Sequence, residues 1–116
     1  MRLLTKKEEV IMSHFWNHGS MFVRELRLLY SDPLPHFNTL SGQVRTLESD
    51  GFVSHISYGP VFKYFPIVDR QTYNSYVLNN IVDKLFGNSY LHVVSSFVSD
   101  EKISVEELKA LISQFE

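Results

Sequence analysis

Apolar residues recur at the three- and four-residue spacing of an amphipathic helix in six segments of the chain. After the third segment, two runs rich in β-branched and aromatic residues flank Tyr58-Gly59-Pro60, which predicts a β-hairpin over residues 52–66. Ser20-Met21-Phe22 is long enough only for a short bridging strand. The sequence therefore predicts a mainly α fold with a small β-hairpin, and helices over 4–19, 23–30, 35–51, 69–86, 89–99 and 104–115.

The first helix shows its two ends and its buried side. Thr5 and Glu8 are spaced as a capping box at its start, and Gly19 is suited to its end. We expect its buried side to consist of five apolar residues: Val10, Ile11, Met12, Phe15 and Trp16.

The third helix carries the chemistry that distinguishes this chain. Leu40, Val44 and Leu47 form one face, with Phe37 and Gln43 at its edges. The opposite face is small and polar, without an acid or a bulky apolar residue. Such a face suits the DNA major groove, where short side chains allow close approach and amide or guanidinium groups bind base edges. An ordinary amphipathic surface helix is the alternative. The residues predicted to face DNA here are Asn38, Thr39, Ser41, Gly42, Arg45 and Thr46.

The order helix, short strand, helix, turn, helix, hairpin is typical of a winged helix-turn-helix domain. In that fold the third helix enters the major groove, and the hairpin, or wing, contacts the backbone or the minor groove. Lys63 on the hairpin and Lys6 at the start of the first helix are then the predicted phosphate contacts. Two alternatives stay open: a hairpin that only closes the core, and lysines that are only solvated.

The last three helices are amphipathic and follow a small domain that already has its own core. We therefore expect residues 1–68 to form the DNA-binding domain and residues 69–116 to form a helical dimerisation domain. Ser104 with Glu107 predicts a capping box on the last helix, and Ile103 with Leu108 predicts a hydrophobic staple. A second copy would cover apolar stripes that a lone copy leaves exposed. The predicted dimer residues are Leu91, Val94, Phe97, Val98, Val105, Leu108, Ile112 and Phe115.

Composition narrows the function classes. The chain has no cysteine, which removes disulfides, thiolate nucleophiles and cysteine zinc sites and fits a cytoplasmic protein. No apolar run reaches the roughly 20 residues of a membrane span. Residues 1–68 carry seven Lys and Arg against six Asp and Glu, whereas residues 69–116 carry four against seven. The charge is thus weak support for DNA binding by the first half. His14 and His18 have metal-compatible spacing but no third ligand nearby, so we expect no metal and no cofactor.

Order and spacing together resemble the penicillinase-repressor family of winged-helix regulators over nearly the whole chain. The resemblance implies a homodimer that binds inverted-repeat operators in double-stranded DNA and represses genes such as those for β-lactamase or copper efflux. It also implies that the last three helices form the dimer. The residues that carry it are Leu4-Thr5 through Trp16, Val23-Arg24-Glu25-Leu26, Asn38-Thr39-Leu40 through Leu47, Asp50-Gly51, Gly59, Val61-Phe62-Lys63-Tyr64 and Pro66.

The chain departs from the family pattern at several positions. Phe22 replaces a favoured threonine cap, and Ser41-Gly42 replace positions often richer in threonine, which leaves the DNA sequence open. The cysteine-rich metal motif of the copper-responsive branch is missing.

In the antibiotic-responsive branch, a membrane sensor protease system triggers cutting of the repressor, commonly at an Asn-Phe bond in the fifth helix. The bond that matches here is Ser96-Phe97, which lacks the asparagine. The resemblance thus leaves two alternatives: release by cleavage at Ser96-Phe97, and a permanent dimer controlled by its own concentration.

Two other function classes compete with a DNA-binding repressor. The near-neutral first half is compatible with a winged-helix module that binds protein instead of DNA. An enzyme has little support because the sequence has no cysteine nucleophile, no glycine-rich phosphate loop and no paired carboxylates in a shared apolar setting. Salt dependence distinguishes a DNA-binding repressor from a protein-binding module, since phosphate contacts make DNA affinity fall steeply with salt.

Overall fold

The structure, a computed structural model, describes residues 1–114. Within that range the chain forms six helices and a small antiparallel sheet, which confirms the predicted fold class. In chain order the elements are α1 (Lys6–His18), β1 (Met21–Phe22), α2 (Val23–Arg27), α3 (Phe37–Ser49), β2 (Val53–Tyr58), β3 (Val61–Pro66), α4 (Arg70–Leu85), α5 (Tyr90–Ser99) and α6 (Val105–Ser113).

The start of α1 is fixed by its cap and by a cluster of charges. Thr5 Oγ1 accepts from the Glu8 backbone N–H at 3.2 Å, and Glu8 Oε1 accepts from the Thr5 N–H at 2.9 Å, so the predicted capping box is confirmed. Arg2 donates to both carboxylate oxygens of Glu8, at 2.8 and 2.7 Å, and to Asp50 Oδ2 at 2.8 Å. Because Asp50 is the C-cap of α3, the N-terminus is tied to the end of that helix.

The sheet is short, with β3 in its centre and the strand order β1-β3-β2. Tyr58 pairs with Val61 across the turn, and Met21 pairs with Tyr64 on the other side of β3. Gly59 has φ +62°, the conformation that a two-residue hairpin turn with glycine in its first central position requires. The hairpin and the bridging strand are therefore both confirmed.

The residues from Met1 to Asn74 form one compact unit, called here the winged-helix unit. Its core lies where α1, α2 and α3 pack on one another and on the sheet. The start of α4 belongs to it, since the Tyr73 hydroxyl accepts from the Leu4 N–H at 2.8 Å and its ring contacts those of Trp16 and Phe52. The fully buried side chains are Ile11, Met12, Phe15, Leu26, Leu40, Val44, Leu47, Phe52 and Val53.

A second compact unit begins at Ser75 and is called the helical unit. Ser89 caps α5 by accepting from the His92 N–H at 3.2 Å, and the Tyr90 hydroxyl donates to Asn79 Oδ1 at 3.0 Å. Ser104 and Glu107 exchange bonds of 3.0 and 3.1 Å, which confirms the predicted capping box of α6. Only Val82 and Val93 are buried among the described side chains of this unit.

Two expectations about the helices are wrong. Val10 is exposed rather than buried, because the helical turn directs Ile11, Met12 and Phe15 inward and leaves Val10 on the opposite side. The second helix ends at Arg27 and not at Tyr30, and the N–H groups of residues 28–30 make three-residue turn bonds instead. Arg27 donates to the Pro35 carbonyl at 2.6 Å and so fixes the connection to α3.

Candidate nucleic-acid interface

The outer face of α3 is polar, as predicted, and the polar side chains of its first turn are exposed to solvent. Leu40, Val44 and Leu47 are buried in the winged-helix unit, which turns the residues between them toward solvent. Asn38 and Thr39 are both exposed, and neither side chain has a hydrogen-bond partner within residues 1–114. An amide with all its donors and acceptors free is suited to bind the edge of a base.

The middle of α3 holds its side chains close to the helix. Arg45 Nη1 donates to Ser41 Oγ at 3.1 Å, one helical turn earlier, and the Thr46 hydroxyl donates to the Gly42 carbonyl at 3.1 Å. A Cβ added at Gly42 would lie 3.7 Å from Arg45 Nη2, an ordinary van der Waals distance. The guanidinium therefore lies along the helix over Gly42, with most of its donors still free.

The wing brings Lys63 beside Phe22. The two residues pair across β1 and β3, and Lys63 Nζ lies 5.4 Å from the centre of the Phe22 ring. The ring attracts the ammonium group through its negative face. On the same face of the sheet, the Tyr58 ring contacts Phe22 edge-on at 5.6 Å. Lys63 is half-buried and has no acidic partner among the described residues.

Polar and aromatic contacts fasten the wing to α3. His55 Nδ1 bonds to the carboxylate of Glu48 on α3, and its ring stacks on Phe62 with centres 4.0 Å apart. Tyr64 lies beside them and is buried. Burial, together with the Glu48 carboxylate, raises the pKa of Tyr64, while the Arg45 charge acts in the opposite direction. The hairpin thus has a fixed orientation relative to α3.

A cavity with a volume of about 450 Å³, called here the concavity, lies between the start of α2, the outer face of α3 and the tip of the wing. Its walls are mostly apolar, and two guanidinium groups are among its lining. The residues that line it are Phe22, Val23, Arg24, Phe37, Ser41, Arg45, Pro60, Val61, Phe62 and Tyr64.

The structure brings together some of the predicted DNA-facing residues and leaves others apart. Ser41, Gly42, Arg45 and Thr46 are in mutual contact, and Asn38 and Thr39 precede them on the same helix. Lys63 joins this group through Phe22, which lines the same concavity as Arg45. Lys6 is exposed at the start of α1 and has no contact with the others among the described side-chain interactions.

The predicted dimer residues of the helical unit lie on α5 and α6. Leu91 is 80% exposed, and Phe97, Val105 and Ile112 are also exposed. Val94, Val98 and Leu108 are half-buried, and Phe115 lies outside the described residues. The Ser96-Phe97 bond lies inside α5, where the Ser96 and Phe97 carbonyls accept from the N–H groups of Asp100 and Lys102 at 2.9 Å.

The two histidines of α1 are part of an aromatic surface. The His14 ring lies 5.2 Å from that of Tyr30 and 6.4 Å from that of His18. Burial lowers the pKa of His14, and the nearby His18 lowers it further. Within residues 1–114, no group of three or more His, Asp or Glu side chains could hold a metal ion. Of the helices in that range, none combines the length and apolar character needed to cross a membrane.

Sequence reasoning missed the aromatic and cationic residues around α3. Phe37 appeared as an edge of the buried face, yet it is 48% exposed and lines the concavity. Arg24 and Phe62 were noticed only as parts of a family resemblance. For Phe62, the sheet register could have indicated this position, because it places Phe62 next to the residues that face α3.

Comparison with curated proteins gives no match. The model of the penicillinase repressor family matches residues 4–116. That match spans both compact units and agrees with the winged-helix order of α1 to β3. The chain therefore belongs to the penicillinase repressor family, a family of DNA-binding transcriptional repressors.

Proposed function

We propose that this protein is a homodimeric repressor that binds an inverted-repeat operator in double-stranded DNA through α3 and the wing. The observation that carries the proposal is the outer face of α3, which is exposed, free of acids and occupied by an unpartnered amide at Asn38. Asn38 and Arg45 read base edges in the major groove, while Thr39, Ser41, Gly42 and Thr46 allow the backbone to approach. Lys63 and Lys6 bind phosphates.

The helical unit supports the dimer. Its described helices leave Leu78, Leu85, Leu91, Leu111 and Ile112 exposed, and only two of its described side chains are buried. Short helices of this kind are marginal in water unless another surface packs against them. A second copy, related by a two-fold axis, provides that surface. We therefore keep the assignment of DNA binding to residues 1–68 and of dimerisation to residues 69–116 as part of this proposal.

A two-fold dimer also determines the form of the operator. It presents two copies of α3, which meet half-sites about one DNA turn, or a multiple of it, apart. Each copy then supplies half of the phosphate contacts, so the small positive charge of residues 1–68 is sufficient. The proposal therefore does not require a positively charged chain, and the net charge here is −2.

Control through the helical unit belongs to the same proposal. A cut at Ser96-Phe97, made in response to a membrane sensor protease system, would separate α6 from α5 and release the DNA. The bond lies in a regular helix, so a protease gains access only after α5 opens locally. The competing arrangement is a dimer that is never cut and is regulated by its own concentration.

The experiment that tests DNA binding is a gel shift on the DNA upstream of the protein's own gene, over a series of salt concentrations. A repressor that contacts phosphates loses affinity linearly in a plot of log K against log salt concentration. Binding without salt dependence, or none at low salt, would contradict the proposal and favour a winged-helix module that binds protein. Sedimentation of the pure protein tests the assembly, and a monomer that occupies the operator one copy at a time would exclude the dimer.

A further inference from the structure

The concavity beside α3 has a composition unlike that of a surface made only for DNA. Protein–DNA interfaces are polar and positively charged. Here Phe37 is 48% exposed and Phe62 is 41% exposed, and both line the concavity together with Val61 and Pro60. Sites for small ligands have walls of this kind: apolar and aromatic, about 300–1,000 Å³ in volume, with a few polar groups. At about 450 Å³ the concavity lies within that range.

The charged residues that line the concavity are both cationic. Arg24 and Arg45 are exposed, and neither guanidinium has a carboxylate partner within residues 1–114. Arg45 has a single described hydrogen bond, to the neutral hydroxyl of Ser41, which leaves most of its donors available. Of the residues that line the concavity, none is acidic. Two unneutralised guanidinium groups at an apolar surface favour an anion whose remaining part is apolar.

The rigidity of the walls favours a small ligand over a flexible surface for many partners. Phe62 is held by the stacked His55 ring, and His55 is bonded to Glu48. Phe22 is held by Tyr58 and Lys63 on the sheet. Phe62 and Phe22 are therefore already ordered, and a flat ring can pack against Phe62 without the entropic cost of fixing that wall.

We propose that the concavity between α2, α3 and the wing binds a small, flat aromatic carboxylate, with its ring against Phe37 and Phe62 and its carboxylate on Arg24 and Arg45. The inference rests on the proposed function for its consequence. Because Ser41 and Arg45 line the concavity and also belong to the DNA-facing set, the occupied protein cannot use Arg45 on DNA. The ligand therefore releases the operator directly, without a cut in the chain.

The first experiment measures binding without DNA. The full chain is titrated calorimetrically with 2-naphthoate and, as the uncharged control, with 2-naphthamide. We expect one saturable site per chain for the carboxylate and much weaker binding of the amide. Arg24→Gln should raise the Kd for 2-naphthoate about tenfold, the effect of losing one charge-assisted hydrogen bond. Lys84→Gln removes an exposed cation outside the concavity and should leave the Kd unchanged.

A matched pair of wing variants locates the ligand. Val61 and Ile56 are β-branched residues of the hairpin with 53% and 57% exposure, and only Val61 lines the concavity. Val61→Ser should weaken binding of 2-naphthoate, and Ile56→Ser should not. The site is refuted by the absence of saturable binding, by equal affinity for the amide, or by equal effects of the two substitutions. Loss of binding in Leu91→Ser alone would also refute it, since the ligand would then lie on the helical unit.

The second experiment measures the consequence on DNA. Saturating 2-naphthoate should weaken binding of the upstream duplex by wild type, and the concentration that gives half of this effect should be about tenfold higher for Arg24→Gln. Unchanged DNA affinity of the saturated wild-type protein would overturn the competition. The two proposals fail separately: a chain that binds 2-naphthoate but no DNA contradicts the repressor function, whereas a chain that binds DNA but no 2-naphthoate contradicts only the ligand site.

Discussion

The side chains of Asn38 and Arg45 differ in how far the protein prepares them for DNA. Asn38 has no partner among the described residues, so the full hydrogen-bonding capacity of its amide is available to a base. Arg45 is already bonded to Ser41 and must keep or exchange that bond when it reaches a base. We expect Asn38→Ala to weaken operator binding by about 1–3 kcal/mol, and Arg45→Ala to weaken it as well. Anisotropy titrations with the operator duplex measure both, and substitution of an exposed residue of α4, Asn74→Ala, is the control. Unchanged affinity in both variants would refute the assignment of α3 to the groove.

Substitution of Gly42 should change helix stability and DNA affinity in opposite directions. A Cβ there would lie 3.7 Å from Arg45 Nη2, so alanine fits, and it should stabilise the helix interior by about 0.5–1 kcal/mol. The same methyl group fills the face that must approach DNA, so operator affinity should fall. Urea unfolding and a DNA titration give the two readouts. Gly51→Ala is the control of opposite sign, because φ +84° at Gly51 strains any side chain. A Gly42→Ala protein that binds DNA as tightly as wild type would show that close approach is not needed here.

At this scale the sequence predicted which residues of α3 face solvent but not what surrounds them. The helical period alone separates Leu40, Val44 and Leu47 from Asn38 and Arg45. It does not predict the exposure of Phe37, because that depends on how the wing and α2 leave a space beside it. The error at Val10 is different, because the helical period itself places Val10 opposite Ile11, Met12 and Phe15.

The N-terminal end of α1 is the element whose stability depends most on pH. The Arg2 hydrogen bonds lower the pKa of Glu8 to about 2 from its ordinary value of 4.5, against the opposing effect of burial. A lowered pKa in the folded state means that Glu8 stabilises the fold above pH 4.5 and that this contribution is lost as the pH falls toward 2.

Glu8→Gln tests this contribution. At pH 7 the variant should be less stable by about 1.5–3 kcal/mol, the range for a hydrogen bond to a charged group. The difference should shrink at pH 3, since wild type has then lost part of the stabilisation that the variant never had. Urea unfolding followed by the fluorescence of Trp16, the one tryptophan of the chain, measures both states. A difference that is the same at both pH values would mean that the ionisation of Glu8 is not what stabilises α1.

The wing is the second element for which we predict a function. Lys63 lies over the Phe22 ring, which positions its ammonium group at the outer face of the sheet without neutralising it. If Lys63 binds one phosphate, Lys63→Ala should weaken binding to all DNA sequences alike and lower the salt slope by about one unit. Lys84→Ala serves as the matched lysine control. A slope equal to that of wild type would identify Lys63 as a solvated or sheet-stabilising residue.

At the scale of elements, capping and turn chemistry predicted most boundaries. Thr5 with Glu8, Ser89 and Ser104 with Glu107 begin their helices where the sequence placed them. The end of α2 was missed because the pattern of Leu26 and Leu29 continues past Arg27, whereas residues 28–30 make turn bonds and the Arg27 side chain bonds to the Pro35 carbonyl. Such a bond depends on where the next element begins, which local periodicity does not encode.

The molecule combines a winged-helix unit that has a buried apolar core with a helical unit that leaves many of its apolar residues exposed. The first has a core that the sequence pattern predicted in large part, from Ile11 in α1 to Phe52 before β2. The second shows the predicted stripes, but the pattern of one chain does not identify the surface that covers them. Its role as the dimerisation domain is therefore a prediction that depends on experiments with the assembled protein.

Cutting the chain in α5 should uncouple the two half-sites of the operator. Joining two DNA-binding units raises affinity by about 10²–10⁴-fold through effective concentration, so a protein that ends at Ser96 should lose a factor of this order. It lacks Phe97 and all of α6, including the exposed side chains of Val105 and Ile112 that the dimer would cover. DNA titration with the full inverted repeat measures the loss, and sedimentation of the same sample reports whether the shortened protein has become monomeric. Trp16 fluorescence verifies that the winged-helix unit is still folded. A folded, shortened protein that keeps full operator affinity would exclude release by cleavage and leave a permanent dimer, controlled by its concentration or by a ligand beside α3.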